Sequence, residues 1–214
     1  MPLQNRVLPT GEIVADPGRG LFTGNRGCLH NAQRRLGVAR WRSKAWICCV
    51  LDWQGRVRDP MPPGRWTALF FLDEASALAA GHRPCAYCRR ADFLAFAAAW
   101  GRAHDLRDPI TGEPVRGRAP DIDARLHEER VDPRTRQQRT RPVRVGGLPD
   151  GAMVRHRGVV GLLYGGCLLP WSFDGYGSRR EIAHQSIVEL LTPPATVATL
   201  RAGYRPVLHP TARA

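Results

Sequence analysis

The stretch FFLDEASALAAGHRPCAYCRR, residues 70–90, places a strand, a helix and a pair of cysteines in one continuous run. Asp73 is a favourable N-cap for the alanine-rich segment that follows, and Gly81 is the residue type that commonly ends a helix. Cys85 and Cys88 then stand in a turn, directly before a segment whose apolar residues recur at helical spacing. The stretch therefore predicts a strand, a short helix, a cysteine-bearing turn and a longer helix, in that order.

The spacing of Cys85 and Cys88 is typical of a metal-binding turn. Two cysteines separated by two residues aim both sulfurs at one ion, which suits tetrahedral zinc. Pro84 stiffens the approach, and the neighbouring arginines favour the thiolate form. A dithiol redox pair has the same spacing, but it usually follows a strand within a βαβ unit, whereas this pair follows a helix. We therefore predict zinc as the cofactor, ahead of a redox role or of cysteines without a chemical role.

The other ligands of the zinc site are sought upstream of the pair. Cys28 and His30 lie in a turn bounded by glycine, while Cys48 and Cys49 lie on an apolar strand. Adjacent strand residues face opposite sides of a sheet, so we expect only one of these two cysteines to reach the ion. We predict Cys49 and His30 as ligands, with Cys48 and Cys28 as alternates. Packing of all four upstream residues without a metal stays an open alternative.

Residues 70–88 resemble the second half of the Ada-like metal-binding module of methylphosphotriester DNA-repair proteins. The similarity covers the helix, the glycine, the Arg-Pro step and both cysteines. It implies a zinc site in which Cys85 and Cys88 match the second of two cysteine pairs. The first pair, which supplies the methyl-accepting thiolate in that family, has no match here, so the resemblance implies a structural zinc site. The whole chain also resembles an uncharacterised bacterial protein family.

The pattern along the chain predicts an α+β fold. A strand containing Cys48 and Cys49 and a second strand before Asp73 form the expected strand pair of a small zinc-stabilised module within residues 1–105. Residues 106–147 are rich in arginine and proline and read as a basic linker with a short helix. Residues 148–214 read as a β-rich C-terminal part with a closing helix.

The charge of the chain points to a polyanionic partner. Its 32 lysine and arginine residues exceed the 19 acidic residues and leave a formal net charge of +13. Such a field attracts nucleic acid, and we expect DNA in preference to RNA. A bias toward arginine in a GC-rich genome is the alternative explanation. The predicted contact residues are Arg83, Arg89 and Arg90 beside the cysteine pair, and Arg134, Arg136, Arg139, Arg141 and Arg144 in the basic segment.

A second hypothesis is a metal-dependent enzyme of nucleic-acid repair or cleavage. Asp123 and His127 share one face of a predicted helix, and Glu128 follows directly. A histidine among carboxylates can bind a divalent ion or act as a general base. We prefer a solvated helix with an ion pair between Arg125 and Glu129, because exposed charged faces are mostly structural.

A third hypothesis is a protein-interaction module whose charge reflects genome composition alone. We predict a cytoplasmic protein without membrane contact, because the N-terminus lacks the pattern of a secretory signal and the most apolar stretch, residues 159–171, is too short for a bilayer. The sequence thus predicts a zinc- and nucleic-acid-binding protein as the first of three readings.

Overall fold

Two β-sheets and four α-helices form the fold in the computed structural model, which describes residues 1–55 and 59–213. Helices and strands are mixed in both halves of the chain, so the predicted α+β class is confirmed. Within the described residues, no helix combines the length and the apolar character needed to cross a membrane.

The first sheet contains six strands in the order β2-β1-β5-β3-β4-β6. The two strands predicted as a pair, β4 and β5, are not neighbours, because β3 lies between them and pairs antiparallel with both. The short β6 runs parallel to β4, with Cys48 opposite Pro84. This pairing brings the strand that carries Cys48 and Cys49 next to the cysteine-bearing turn. The strands are β1 (Gln4–Val7), β2 (Ile13–Ala15), β3 (Phe22–Asn25), β4 (Ile47–Val50), β5 (Leu69–Phe71) and β6 (Arg83–Pro84).

The second sheet is antiparallel, in the order β11-β10-β9-β8-β13-β7, with β12 also paired to β10. Gly165 and Gly166 both have positive φ in the turn between β9 and β10, the conformation that a two-residue hairpin turn requires. The basic linker is not wholly irregular, since part of it forms the edge strand β7. The strands are β7 (Arg141–Arg144), β8 (Met153–His156), β9 (Val159–Tyr164), β10 (Cys167–Ser172), β11 (Gly175–Tyr176), β12 (Arg180–Glu181) and β13 (Ile187–Leu190).

The helices begin and end close to their sequence signals. They are α1 (Glu74–Ala79), α2 (Arg90–Ala103), α3 (Ala119–Arg130) and α4 (Pro194–Arg201), with 3-10 turns at Val145–Gly147 and Pro210–Arg213. The Asp73 carboxylate accepts a hydrogen bond from the Ser76 backbone N–H at 2.9 Å, which confirms the predicted N-cap. Gly81 follows α1 with φ of +81°, a conformation that favours glycine.

One apolar cluster draws on all three segments predicted from the sequence. Phe96 of α2 packs there with Ile122 of α3 and with Leu200 of α4. Another cluster includes Ala75 of α1 and Leu162 of β9, and α1 contacts β8 of the second sheet. Side chains from residues 1–105, 106–147 and 148–214 are therefore packed together.

Two buried carboxylates at the start of α1 tie distant parts of the chain to that helix. Asp73 accepts hydrogen bonds from the Tyr176 hydroxyl at 2.8 Å and from the His209 backbone N–H at 3.0 Å. Glu74 forms an ion pair with Arg89 at 2.9 Å and accepts from the Tyr204 hydroxyl at 2.5 Å. These bonds fix the turn before α2 and the segment after α4 against the same helix terminus.

Candidate metal centre

Three cysteine sulfurs converge at the junction of β4, β6 and α2. The Sγ atoms of Cys49, Cys85 and Cys88 all lie within 4.8 Å of one another. The backbone N–H of Cys85 donates to the Cys48 carbonyl at 2.9 Å, which fixes the turn against β4. The strand thus supplies one sulfur, and the predicted turn supplies two.

Cys48 and Cys49 lie on opposite faces of β4, as strand alternation requires. Cys49 faces the cluster, whereas Cys48 is completely buried in the apolar core of the first sheet. The Cys48 sulfur lies 3.5 Å from the Arg89 guanidinium, and burial raises the pKa of this thiol above its ordinary range. Of the two strand cysteines, the structure therefore brings Cys49 to Cys85 and Cys88.

Hydrogen bonds within the cluster favour thiolates on the turn. Hydrogen bonding with the turn cysteines raises the pKa of the Cys49 thiol and lowers that of Cys85 to about 5. The same contact lowers the pKa of Cys88, although burial opposes the shift. The backbone N–H of Tyr87 also donates to the Cys85 sulfur at 3.4 Å. Such a cluster presents negatively charged sulfur, the form that binds metal ions.

His30 and Cys28 lie apart from the three sulfurs. The His30 ring nitrogens lie 2.7 Å from the Thr67 hydroxyl and 3.1 Å from the Pro62 carbonyl, so both are already in hydrogen bonds. The Cys28 sulfur contacts the His30 carbonyl at 3.7 Å. Over residues 1–55 and 59–213, no further cysteine, histidine or carboxylate joins the cluster. The predicted ligand His30 and its alternate Cys28 are therefore not brought to this site.

Three sulfur donors leave one position open at an ion that takes four ligands. Residues 56–58, outside the described part, are Arg-Val-Arg and offer no usual metal-binding side chain. The cluster can hold a metal ion through three thiolates, with the fourth position available to water or to another molecule.

Two of the eight predicted contact arginines are buried and hold the fold together. Arg83 forms two hydrogen bonds with the Asp123 carboxylate, at 2.9 Å and 2.7 Å. Arg89 pairs with Glu74 and also with Asp92. Both guanidinium groups neutralise carboxylates inside the protein, so their prediction as surface contacts is wrong. The six exposed ones are Arg90, Arg134, Arg136, Arg139, Arg141 and Arg144.

The acidic and histidine residues of α3 do not form a second cluster. Asp123 is engaged with Arg83, His127 is half-buried with its ring 5.5 Å from that of Trp41, and Glu128 is exposed. These candidate catalytic side chains do not join the three sulfurs. The expected ion pair between Arg125 and Glu129 is present at 2.6 Å. The expectation of a solvated helix is wrong for the face that carries Asp123, because this carboxylate is buried in its ion pair with Arg83.

Arg26 and Arg130 form a buried cationic cluster beside the first sheet, which no sequence motif predicted. The guanidinium carbons of Arg26 and Arg130 lie 3.9 Å and 3.8 Å from the ring centre of Trp46. The Arg26 Nε donates to His82 Nε2 at 3.0 Å, and His82 Nδ1 donates to the Ile47 carbonyl at 3.0 Å. These partners hold His82 as the neutral tautomer with its proton on Nδ1.

Replacing His82 with glutamine is expected to flatten the dependence of stability on pH. Burial, and next the charge of Arg26, hold the pKa of His82 well below its ordinary value. Below about pH 6.5 the unfolded chain binds a proton at this histidine and the folded chain does not. Stability is therefore lost as pH falls, by about 1.4 kcal/mol per pH unit from this group. Urea denaturation of wild type and variant from neutral to mildly acidic pH measures the difference.

The matched control is the exposed His184→Gln, which should keep the wild-type slope. Burial also lowers the pKa values of His104 and His127, so the contribution of His82 is read from the difference between variants. Equal slopes for wild type and His82→Gln would contradict a neutral, buried His82.

The prediction that one strand cysteine lies beside the turn of residues 83–90 agrees with the structure, because Cys49 lies next to Cys85 and Cys88. The resemblance of residues 70–88 to the Ada-like module stays a prediction. Comparison of the chain with protein-family models, with curated proteins and with solved structures gives no match.

Proposed function

We propose that this protein binds zinc at Cys49, Cys85 and Cys88 and contacts nucleic acid through an exposed arginine edge. The arginine edge comprises Arg134, Arg136, Arg139, Arg141 and Arg144. The observation that carries the proposal is that all five are exposed, Arg141 and Arg144 on the edge strand β7 and the other three in the segment that leads into it.

Zinc is the metal that best suits the three sulfurs. Thiolates are soft ligands, and zinc binds them tetrahedrally without redox chemistry of its own. The ion would join Cys49 on β4 to the turn before α2, two segments about 36 residues apart, and so stabilise the first sheet. Its proposed role is structural.

The arginine edge offers cations that the protein itself does not neutralise. In the described part of the chain, none of the five forms an ion pair with a carboxylate. Arg141 and Arg144 lie on β7, which pairs with β13 on one side and forms the open edge of the sheet on the other. Guanidinium groups presented in this way suit phosphate oxygens, which they can bind in pairs. DNA is the partner we propose first, with RNA as the alternative.

Metal-centred chemistry on nucleic acid is a second candidate, favoured by the number of ligands. Structural zinc sites hold four protein ligands, whereas catalytic sites hold three and leave one position open. Three sulfurs with no fourth ligand from the described residues fit the second description. In this form the reactive group would be bound to the metal, and Asp123, His127 and Glu128 would take no part.

Replacing Arg141 and Arg144 with alanine is expected to lower the affinity for nucleic acid. It should also make that affinity less sensitive to salt concentration. Each phosphate contact that is lost should reduce the slope of log affinity against log salt concentration by about one. Fluorescence anisotropy with a labelled DNA duplex, and with an RNA strand of the same sequence, measures both quantities across a salt series.

A charge-matched control is the double variant Arg179→Ala/Arg180→Ala. These two exposed arginines lie next to or on β12, which pairs with β10 near the opposite edge of the same sheet. Equal losses from both double variants would indicate a general effect of net charge and would contradict the arginine edge. Binding of a protein partner that is insensitive to salt would instead support the protein-interaction reading.

A further inference from the structure

A cavity of about 700 Å³ is lined by residues of the second sheet and of segments that adjoin strands of the first sheet. Its wall includes the turn between β1 and β2, the end of α1, the end of α3, and residues 135–138 with Thr140. Pockets for small molecules typically measure roughly 300–1,000 Å³, so the volume suits a ligand of nucleotide size.

The wall of this cavity is strongly cationic. Five arginines and two glutamates line it: Arg26, Arg40, Arg130, Arg136 and Arg155 with Glu12 and Glu189. Glu189 is already bonded to Arg155 and to the Thr140 hydroxyl. Among residues 1–55 and 59–213, no carboxylate forms an ion pair with the other four arginines. The cavity therefore carries an excess of positive charge.

Two of these arginines are buried without a counter-ion. Arg26 is 2% exposed and Arg130 is 1% exposed. Their hydrogen bonds go to neutral groups, such as the carbonyls of Gly11 and Gly81. The negative charge that acts on Arg130 is that of Asp123, which already pairs with Arg83. Buried charges are normally paired, because the loss of hydration is otherwise uncompensated.

The Trp46 ring compensates only part of this cost. Both guanidinium groups lie over it, and a ring quadrupole attracts a cation less strongly than a full negative charge does. Burial lowers the pKa of Arg26 to about 9 and that of Arg130 to about 8, consistent with charged groups that lack an anionic partner.

Unpartnered polar atoms are concentrated on the same wall. Within the described residues, seven buried side-chain nitrogen or oxygen atoms have no hydrogen-bond partner in the protein, and three of them belong to residues of this cavity. They are Nη2 of Arg26, Nε of Arg130 and Oε1 of Gln138. The first two are donors and suit an anion, whereas the third is an acceptor and suits a hydroxyl or amino group.

We propose that this cavity binds a phosphate monoester of a hydroxylated compound, with the phosphate against Arg26 and Arg130. A phosphate dianion balances two guanidinium charges, whereas a carboxylate balances only one, and its oxygens accept paired hydrogen bonds from arginine forks. Arg40 and Arg136 lie at the wall as further cations, and the hydroxyl-bearing part faces Gln138. The phosphate belongs to a free nucleotide or sugar phosphate, or to the end of a nucleic-acid strand.

Thermal unfolding with AMP as the probe tests this site. At about 100 times its dissociation constant, AMP should raise the Tm of the wild type by roughly 5–10 °C, and adenosine should leave it unchanged. The double variant Arg40→Ala/Arg136→Ala should bind AMP at least about tenfold more weakly by calorimetry. Arg35→Ala, an exposed arginine of the same loop as Arg40, is the matched control and should bind as the wild type does.

Two oligonucleotides that differ only in a 5′-phosphate distinguish a free phosphate ester from the end of a nucleic-acid strand as the ligand. If the phosphorylated strand displaces AMP and the hydroxyl strand does not, the ligand is a strand end. If AMP and ribose 5-phosphate bind and neither strand competes, the ligand is a free phosphate ester. The absence of binding by AMP, ribose 5-phosphate, inorganic phosphate and the phosphorylated strand would overturn the proposal, as would an equal effect of adenosine.

The cavity proposal does not rest on Arg141, Arg144 or the metal, although Arg136 belongs both to the arginine edge and to the cavity wall. The Arg141→Ala/Arg144→Ala variant should bind AMP with unchanged affinity, because neither residue lines the cavity. Loss of duplex binding with AMP binding retained would then separate the two sites.

Discussion

Replacing Cys49 with serine is expected to remove the bound metal, whereas replacing its neighbour Cys48 should leave the metal in place. The two thiols are adjacent in sequence but lie on opposite faces of β4. Metal content of protein purified without chelator should be one ion per chain in the wild type and in Cys48→Ser. It should be much lower in Cys49→Ser, Cys85→Ser and Cys88→Ser.

The loss of the metal should also destabilise the fold. Removing a bound metal is among the few changes that cost more than about 4 kcal/mol of unfolding free energy. Chemical denaturation of wild type, Cys49→Ser and chelator-treated wild type gives this cost, and the last two should agree. Retention of metal in Cys49→Ser, or its loss in Cys48→Ser, would contradict the three-sulfur site.

X-ray absorption of the zinc-loaded protein counts the ligands directly. Three sulfur neighbours and one lighter neighbour are expected from the geometry of Cys49, Cys85 and Cys88. Four sulfurs would show that a further cysteine, such as Cys28, moves to the ion on binding.

Truncation of Glu74 to alanine is expected to lower the free energy of unfolding by roughly 3–5 kcal/mol, the usual cost of breaking a buried ion pair. The carboxylate is fully buried and accepts from Arg89, from the Tyr204 hydroxyl and from the Val207 backbone N–H. Its removal leaves a buried cation and two donors without that acceptor. Asp92 also pairs with Arg89 and reduces the loss, but its half-exposed carboxylate does not replace the buried partner.

Urea denaturation of Glu74→Ala measures this cost. The matched control is the exposed Glu128→Ala, whose free energy of unfolding should lie within about 0.5 kcal/mol of the wild-type value. Adding Arg89→Met to Glu74→Ala should recover part of the loss, since the unpaired cation is then gone. A cost for Glu74→Ala similar to that of Glu128→Ala would show that the network does not support the fold.

The order of elements across residues 70–103 was predictable because each boundary there is set locally. The Asp73 cap, the positive φ of Gly81 and the apolar spacing of α2 all act within a few residues. The separation of Cys48 from Cys49 followed from strand alternation alone. These features need no knowledge of the rest of the chain.

The strands β3 and β7 and the position of His30 were not predicted, because each depends on residues distant in the sequence. β3 contains a glycine and is a strand because β4 and β5 flank it. β7 contains Pro142, which lacks an N–H donor and is tolerated at a sheet edge. His30 is hydrogen-bonded to Thr67, 37 residues away, and no residue near His30 in the sequence predicts that contact.

The buried arginines were also invisible in the sequence, because Arg83 and Arg89 look like members of one basic patch with Arg90. Only Asp123 and Glu74, brought close by α3 and α1, distinguish them from surface residues. A run of arginines therefore predicts charge, and the placement of carboxylates in the fold decides which of them are exposed.

The carboxylate of Glu74 also sets the order in which this chain can complete its fold during synthesis. One of its partners, Arg89, leaves the ribosome soon after it, but Tyr204 follows 130 residues later. Until then the start of α1 carries an acceptor whose hydroxyl donor has not been made. Contacts of such long separation slow folding, since the chain between them must be ordered first. The native hydrogen bonds of Glu74 are therefore complete only after the segment that follows α4 has been synthesised.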